Sequence, residues 1–183
     1  VPVPPLTDPE RGLVLRGHRD ADLPRLIEEA RDPQTRAWTN VPTPDDGFGP
    51  AQARAFLDAV GAGWANRSAL SWAVVRDDGP YLGTVNLRVP GAGRSDLSYV
   101  LHPDARGRGT MSAAVRLVLR YAFEVAEVQV VTWEAYAGHR DSLRVAEAVG
   151  FRREGTRRLG AEHHGRLRDV WTASLLRDDP RPG

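Results

Sequence analysis

The residues best placed to do chemistry in this chain stand together at Arg106-Gly107-Arg108-Gly109-Thr110-Met111. They follow a short apolar run, Leu97 to Leu101, and the turn His102-Pro103-Asp104. They precede a segment in which Met111, Ala114, Val115, Val118, Leu119 and Ala122 recur at three- and four-residue steps, the period of an amphipathic helix. Strand, glycine loop and helix together form an anion-binding design. The first amides of a helix have no carbonyl partner, and the aligned peptide dipoles amount to about half a positive charge at that end. Gly107 and Gly109 let phosphate oxygens approach those amides, while Arg106 and Arg108 add donors and charge. A pyrophosphate suits such a seat. The loop lacks the Gly-Lys-Ser/Thr ending of a P-loop, which disfavours a nucleotide-phosphate protein of that kind.

The elements that position this loop are legible from period and punctuation. Val1 to Arg11 carries four prolines and no periodicity, which reads as an extended arm. Leu13 to Arg16 is a first strand, and Asp20 can cap a helix from Ala21 to about Ala30. Asp32 to Pro50 has four prolines and no regular period, which is long for a loop and suits a lid or partner surface. A second helix runs from Pro50 to Val60. Ser71 to Val75 and Tyr81 to Val89 form a hairpin around Asp77-Asp78-Gly79-Pro80. After the organising strand, loop and helix come a strand at Val128 to Trp133 and a short helix from Asp141 to Val149, ended by Gly150. Two closing strands follow at Phe151 to Arg158 and Leu167 to Leu176, then a tail from Arg177 that reads as frayed. The fold class is α/β (α+β): one domain over 1–183, with a mixed sheet of about seven strands and helices on both faces. A helical crossover makes the fourth and fifth strands parallel.

Composition narrows the functions. With no cysteine, the chain has no disulfide framework, thiolate metal site or cysteine nucleophile. All 25 basic residues are arginine, which excludes lysine Schiff-base chemistry. Charge is balanced at +1, so no global field draws nucleic acid. No apolar run approaches a membrane span, and Val1 to Pro9 lacks the apolar core of a signal peptide. The expectation is a cytoplasmic protein with no membrane or nucleic-acid partner.

Four stretches stand in order along nearly the whole chain: Leu6-Thr7-Asp8 through Leu13-Val14-Leu15-Arg16, Ser95 to Leu101, Arg106 to Met111, and GHRDSLRVAEAVGF from Gly138 to Phe151. Together they resemble the GNAT superfamily of N-acetyltransferases, in the branch that includes the ribosomal-protein N-terminal alanine acetyltransferases. The third resembles that superfamily's Gln/Arg-x-x-Gly-x-Gly/Ala loop, and the fourth its Asn-x-x-Ser-x-x-Val…Gly-Phe helix. The resemblance implies direct transfer from acetyl-coenzyme A, or succinyl- or another acyl-coenzyme A, to a primary amine on a protein N-terminus or small molecule. It implies no metal and is compatible with a homodimer. The donor would lie where the fourth and fifth strands splay apart. Main-chain groups near Val100 and Leu101 would pair with the pantetheine arm, and amides from Gly107 to Met111 would hold the pyrophosphate. A backbone N–H beside the thioester carbonyl would stabilise the oxyanion.

Departures from the family pattern direct the choice of catalytic residues. Met111 ends the loop, as in that branch. His139 stands where asparagine would contact the pantetheine arm. Ala146 takes the place of the superfamily's usual acid, a tyrosine, and the resemblance to the branch, where the motif serine is the proposed substitute, implies Ser142 as candidate acid; helix capping is its bland alternative. For the base, the resemblance implies Asp96, where the branch often has glutamate on the fourth strand, and Glu162, beside Ala161 where some relatives place an acid on the last loop, unless the amine arrives deprotonated. His163-His164 reads as exposed loop histidines rather than a metal pair, because neighbours on a strand face opposite ways. Trp72, Trp133 and Trp171 read as core, whereas Trp38 and Trp64, in irregular surroundings, are open between packing and acceptor contact. A catalytically idle acyl-coenzyme A binding module is the alternative of a different class.

Overall fold

The computed structural model describes residues 2–41 and 47–182. Its strands are β1 (Leu6–Asp8), β2 (Leu13–Arg16), β3 (Ala69–Arg76), β4 (Gly83–Gly91), β5 (Arg94–Leu101), β6 (Val130–Tyr136), β7 (Arg152–His163) and β8 (Arg166–Leu176). Its helices are α1 (Leu23–Arg31), α2 (Pro33–Trp38), α3 (Pro50–Asn66), α4 (Thr110–Glu124) and α5 (Arg140–Ala148). The strands form one sheet in the order β1-β2-β3-β4-β5-β6-β8-β7. Among the described residues its single parallel pair is β5–β6, joined by α4, as the crossover requires.

That parallel pair is short. It runs from Arg94 opposite Val130 to Leu97 opposite Trp133 and stops, so Ser98 to Leu101 has no strand partner on that edge. On the other edge β5 stays paired to β4 through Leu101 opposite Gly83. The two central strands therefore part like a V.

Alternation along β3 separates the two faces of the sheet. Trp72 and Val74 join the main core with Ala114, Val115, Val118 and Leu119 of α4. Ala73 instead belongs to a smaller cluster with Leu26 of α1 and Tyr81, against Phe56 and Leu57 of α3. The stripe read on the loop helix is this buried face, and Trp72, Val85, Leu87 and Trp133 beneath it are at most 2% exposed. At about 25 cal/mol per Å² of apolar area removed from water, such side chains dominate the folding energy.

Several boundaries differ from the sequence reading. Among the described residues the sheet has eight strands, because Leu6–Asp8 within the expected arm pairs with β2, Leu6 opposite Leu15. α3 continues six residues past Val60 and carries Trp64 into the core, 6% exposed, with its indole N–H donating to the Ser71 carbonyl at 3.0 Å. The long segment after Asp32 contains α2, while residues 42–46 of the expected lid lie outside the described residues. Asp20 does not cap α1: it opens a 3-10 turn, Asp20–Asp22, and pairs with Arg54, while the Asp22 carboxylate closes that turn by accepting from the Arg19 N–H at 2.8 Å. The tail is tied down by Asp179, which binds Arg152 at 3.1 Å and accepts from the Leu176 N–H.

Candidate active site

Along the end of β5 that has parted from β6 runs a cleft of about 690 Å³. Its floor is Tyr99, Val100 and Leu101, one end is the Arg106–Ser112 loop and helix start, and its walls come from α2 and α5. Gly107 and Gly109 adopt φ of 73° and 71°, the left-handed region that favours glycine, and a Cβ on either would meet no atom within 4 Å. Open space therefore stands over the first amides of α4, as an incoming phosphate needs.

Arg106 departs from its expected direction. Its guanidinium turns to α2, donating to Asp32 Oδ2 and Thr35 Oγ1 at 2.8 Å each and to Gln34 Oε1 at 3.0 Å. Its Nε donates to the Leu101 carbonyl at 3.1 Å, which occupies one main-chain acceptor expected for the pantetheine arm. Burial raises the Asp32 carboxyl, but the Thr35 N–H and Arg106 outweigh it and hold the group below the usual carboxylate range. Arg106 thus clips α2 to the end of β5. Arg108 lies outside the cleft, on the opposite side of the α4 start.

At the other end, Ser142 is the third residue of α5, and its hydroxyl does not cap the helix. It donates to the Tyr99 hydroxyl at 3.1 Å, and Tyr99 donates to the Ser142 carbonyl at 2.7 Å. Burial pushes the Tyr99 phenol well above its ordinary range, so it keeps its proton. Sequence reasoning missed Tyr99. Alternation from Leu97 puts it on the helix-covered face of β5, and that was the available signal. His139, just before α5, stacks flat on Trp38 of α2 with centroids 4.7 Å apart and planes 5° apart. Burial there lowers the His139 pKa, keeping the imidazole neutral. This places Trp38 in the cleft wall, where packing and ligand contact coincide.

Neither candidate base lines the cleft. Asp96, one residue short of the parting, lies on the opposite face of β5 from Leu97 and Tyr99 and accepts from the Thr132 hydroxyl. Glu162 is exposed near the end of β7, which runs to His163 where a loop was expected. Its carbonyl accepts from Asn40 at 2.7 Å and Tyr136 at 2.6 Å. His163 and His164 both turn Nε2 to the Arg36 carbonyl of α2, at 3.3 and 3.0 Å. Among the described residues no group of three metal-ligating side chains occurs, and no helix is long and apolar enough to cross a membrane. The structure therefore gathers Ser142, His139, Val100, Leu101, Arg106, Gly107, Gly109, Thr110 and Met111 into one cleft and leaves Asp96, Glu162 and Arg108 outside it.

The family model of the GNAT acetyltransferase domain matches residues 12–152, most of the chain and all of this cleft. The chain belongs to the GNAT acetyltransferase family. A GNAT relative, the uncharacterized N-acetyltransferase p20 of Bacillus licheniformis, is 27% identical over 164 residues, 86% of this chain and 88% of that one. YdaF of Bacillus subtilis strain 168, provisionally named a ribosomal N-acetyltransferase, is 33% identical over 84 residues. That match spans 46% of each protein, under half the relative's length. Among solved GNAT structures, RimJ of Mycobacterium smegmatis in complex with CoA-disulfide is similar at a TM-score of 0.82 and 21% identity, over 95% of this chain and 86% of that one. The ribosomal-protein-S5-alanine acetyltransferase of Vibrio fischeri reaches 0.81 at 18% identity, over 98% and 100%. At these identities the structural likeness speaks for the fold.

Proposed function

We propose that this protein transfers an acetyl group from acetyl-coenzyme A to a primary amine by direct attack within a ternary complex. One observation carries the reading: a single cleft joins the open amides at the start of α4 to the Ser142–Tyr99 hydroxyl pair, along the unpartnered edge of β5. A long acyl-thioester nucleotide matches that layout, with its pyrophosphate on the loop, its arm along Tyr99 and Val100, and its sulfur near Ser142.

Attack forms the C–N bond, breaks the C–S bond, and requires one proton to leave the nitrogen and one to reach the sulfur. Turning both hydroxyl hydrogens one step lets Tyr99 donate to Ser142 Oγ and Ser142 donate toward the sulfur. Asp96 and Glu162 both lie outside the cleft, so in this reading the amine arrives deprotonated and gives up its remaining proton to water. The names of the ribosomal acetyltransferase relatives favour a protein N-terminus as acceptor, and α1, α2 and the segment before α3 are placed to select it.

The test is release of free thiol from acetyl- and succinyl-coenzyme A against N-terminal peptides, small amines and aminoglycosides, with donor binding measured in parallel. Turnover on one acceptor, and loss of donor binding in Gly109→Glu, is the expected result. Tight donor binding without turnover on any of them favours the idle binding module. No donor binding overturns both readings.

A further inference from the structure

Across the start of α4 from the cleft lies a second hollow, of about 300 Å³, with arginine on every side. Arg11 reaches it from the turn after β1, Arg76 from the end of β3, Arg108 from the glycine loop and Arg116 from the second turn of α4. No carboxylate lines it among the described residues. Arg11 pairs with Asp8 at 3.0 Å, and the other three make no ion pair with a described carboxylate. In a chain whose net charge is only +1, this is a local concentration of charge, and like charges held so close call for an anion between them.

Two of the groups are anchored to main-chain carbonyls. Arg76 donates to the Arg11 carbonyl at 3.1 Å and Arg116 to the Ala148 carbonyl at 2.9 Å. The Nε of Arg116 is shut off from solvent and has no hydrogen-bond partner among the described residues. The hollow shares Gly109, Thr110 and Ser112 with the cleft, so the two meet over the same helix start.

A coenzyme A donor carries a second phosphate besides its pyrophosphate, a monoester on the ribose that is close to a dianion at neutral pH. We propose that the arginine hollow is a phosphomonoester site, and that it seats the ribose 3′-phosphate of the donor. This rests on the acyl-coenzyme A reading of the cleft. Arginine suits the task, since its planar fork meets phosphate oxygens in pairs. The division of labour is then spatial: neutral amides hold the pyrophosphate on one side of the helix start, and side-chain charge holds the monoester on the other.

The experiment titrates coenzyme A, 3′-dephospho-coenzyme A and inorganic phosphate into the full chain, as wild type, Arg76→Gln and Arg116→Gln. Wild type should bind the dephospho compound about tenfold more weakly. Each variant should bring coenzyme A toward that weaker value and leave the dephospho compound unchanged. Arg76 is exposed, so its variant keeps the fold and the comparison stands even if Arg116→Gln is unstable. Equal wild-type affinity for the two nucleotides overturns the proposal and leaves the cleft assignment standing. Binding of neither overturns both. Equal weakening of both nucleotides in the variants also overturns it, since the arginines would then support the loop rather than the monoester. Arginine-dependent binding of inorganic phosphate with no discrimination between the nucleotides would make the hollow a free-phosphate site, against the proposal.

Discussion

In the proposed mechanism Ser142 and Tyr99 act on one proton, and that sharing is open to experiment. An aliphatic hydroxyl is a poor acid alone, and its partner here is a phenol held protonated by burial. Ser142→Ala should lower kcat by roughly 100-fold with donor affinity kept. Tyr99→Phe should lower kcat by a smaller factor, again without raising the donor KM. Because the two share a hydrogen bond, the double variant should be no slower than Ser142→Ala. Steady-state rates of the three variants decide this, and multiplicative losses would show independent roles.

At the scale of elements, α2 has six residues, too few to persist alone in water, yet it forms one wall of the cleft. It is held at both ends. Asp32 caps its start, accepting from the Thr35 N–H at 2.8 Å, and Arg106 ties that cap to β5. At its end, His163 and His164 reach the Arg36 carbonyl, and Arg168 lies 5.1 Å from the Trp38 ring. Removing the Arg106 clip should therefore free α2 before it unfolds the domain. We expect Arg106→Gln to cost about 1–3 kcal/mol, as loss of a part-buried charged hydrogen-bond set does, and to raise the donor KM. Hydrogen exchange should quicken at the amides of residues 34–38 while those of α4 stay protected. Unchanged exchange in α2 would remove the clip from the account.

At the scale of the whole molecule, one buried chain of hydrogen bonds holds the two carboxyl and imidazole groups, Glu29 and His18, that are shifted furthest, in opposite directions. His18 Nε2 lies 3.0 Å from Thr84 Oγ1, Thr84 lies 2.8 Å from the Tyr81 hydroxyl, and Tyr81 donates to Glu29 at 3.0 Å. Burial pushes the Glu29 carboxyl up to about 8 against the nearby charges of Arg106 and Arg25, and pushes His18 down to about 4 against Asp22. The native state thus holds the Glu29 proton that the unfolded chain releases above about 4.5, and this lowers stability as pH rises toward 8. His18 acts oppositely: between about 4 and 6.5 the unfolded chain binds the proton that the native state refuses, so stability rises with pH. The two slopes oppose each other between 4.5 and 6.5, and above 6.5 only the Glu29 decline remains, at most about 1.4 kcal/mol per pH unit. Denaturant unfolding at pH 6.5 and 8 should show that decline in the wild type and not in Glu29→Gln. An equal decline in both would move its source elsewhere.

Local pattern alone determined every strand but β1, the loop and the loop helix, because period and glycine placement are properties of neighbouring residues. The stripe from Met111 to Ala122 is the buried face of α4, and the parallel pair follows from one helical crossover. Tertiary structure decided what distant segments do to one another. Leu6–Asp8 is too short to show a period and becomes a strand only through β2. α2 has a local start signal in Asp32-Pro33, but at six residues it depends on Arg106 and two imidazoles from far along the chain. Arg106 and Arg108 read alike in sequence, yet one braces α2 and the other faces the arginine hollow. The Ser142–Tyr99 pair joins residues 43 apart in sequence, and only the folding of α5 against β5 brings their hydroxyls into reach.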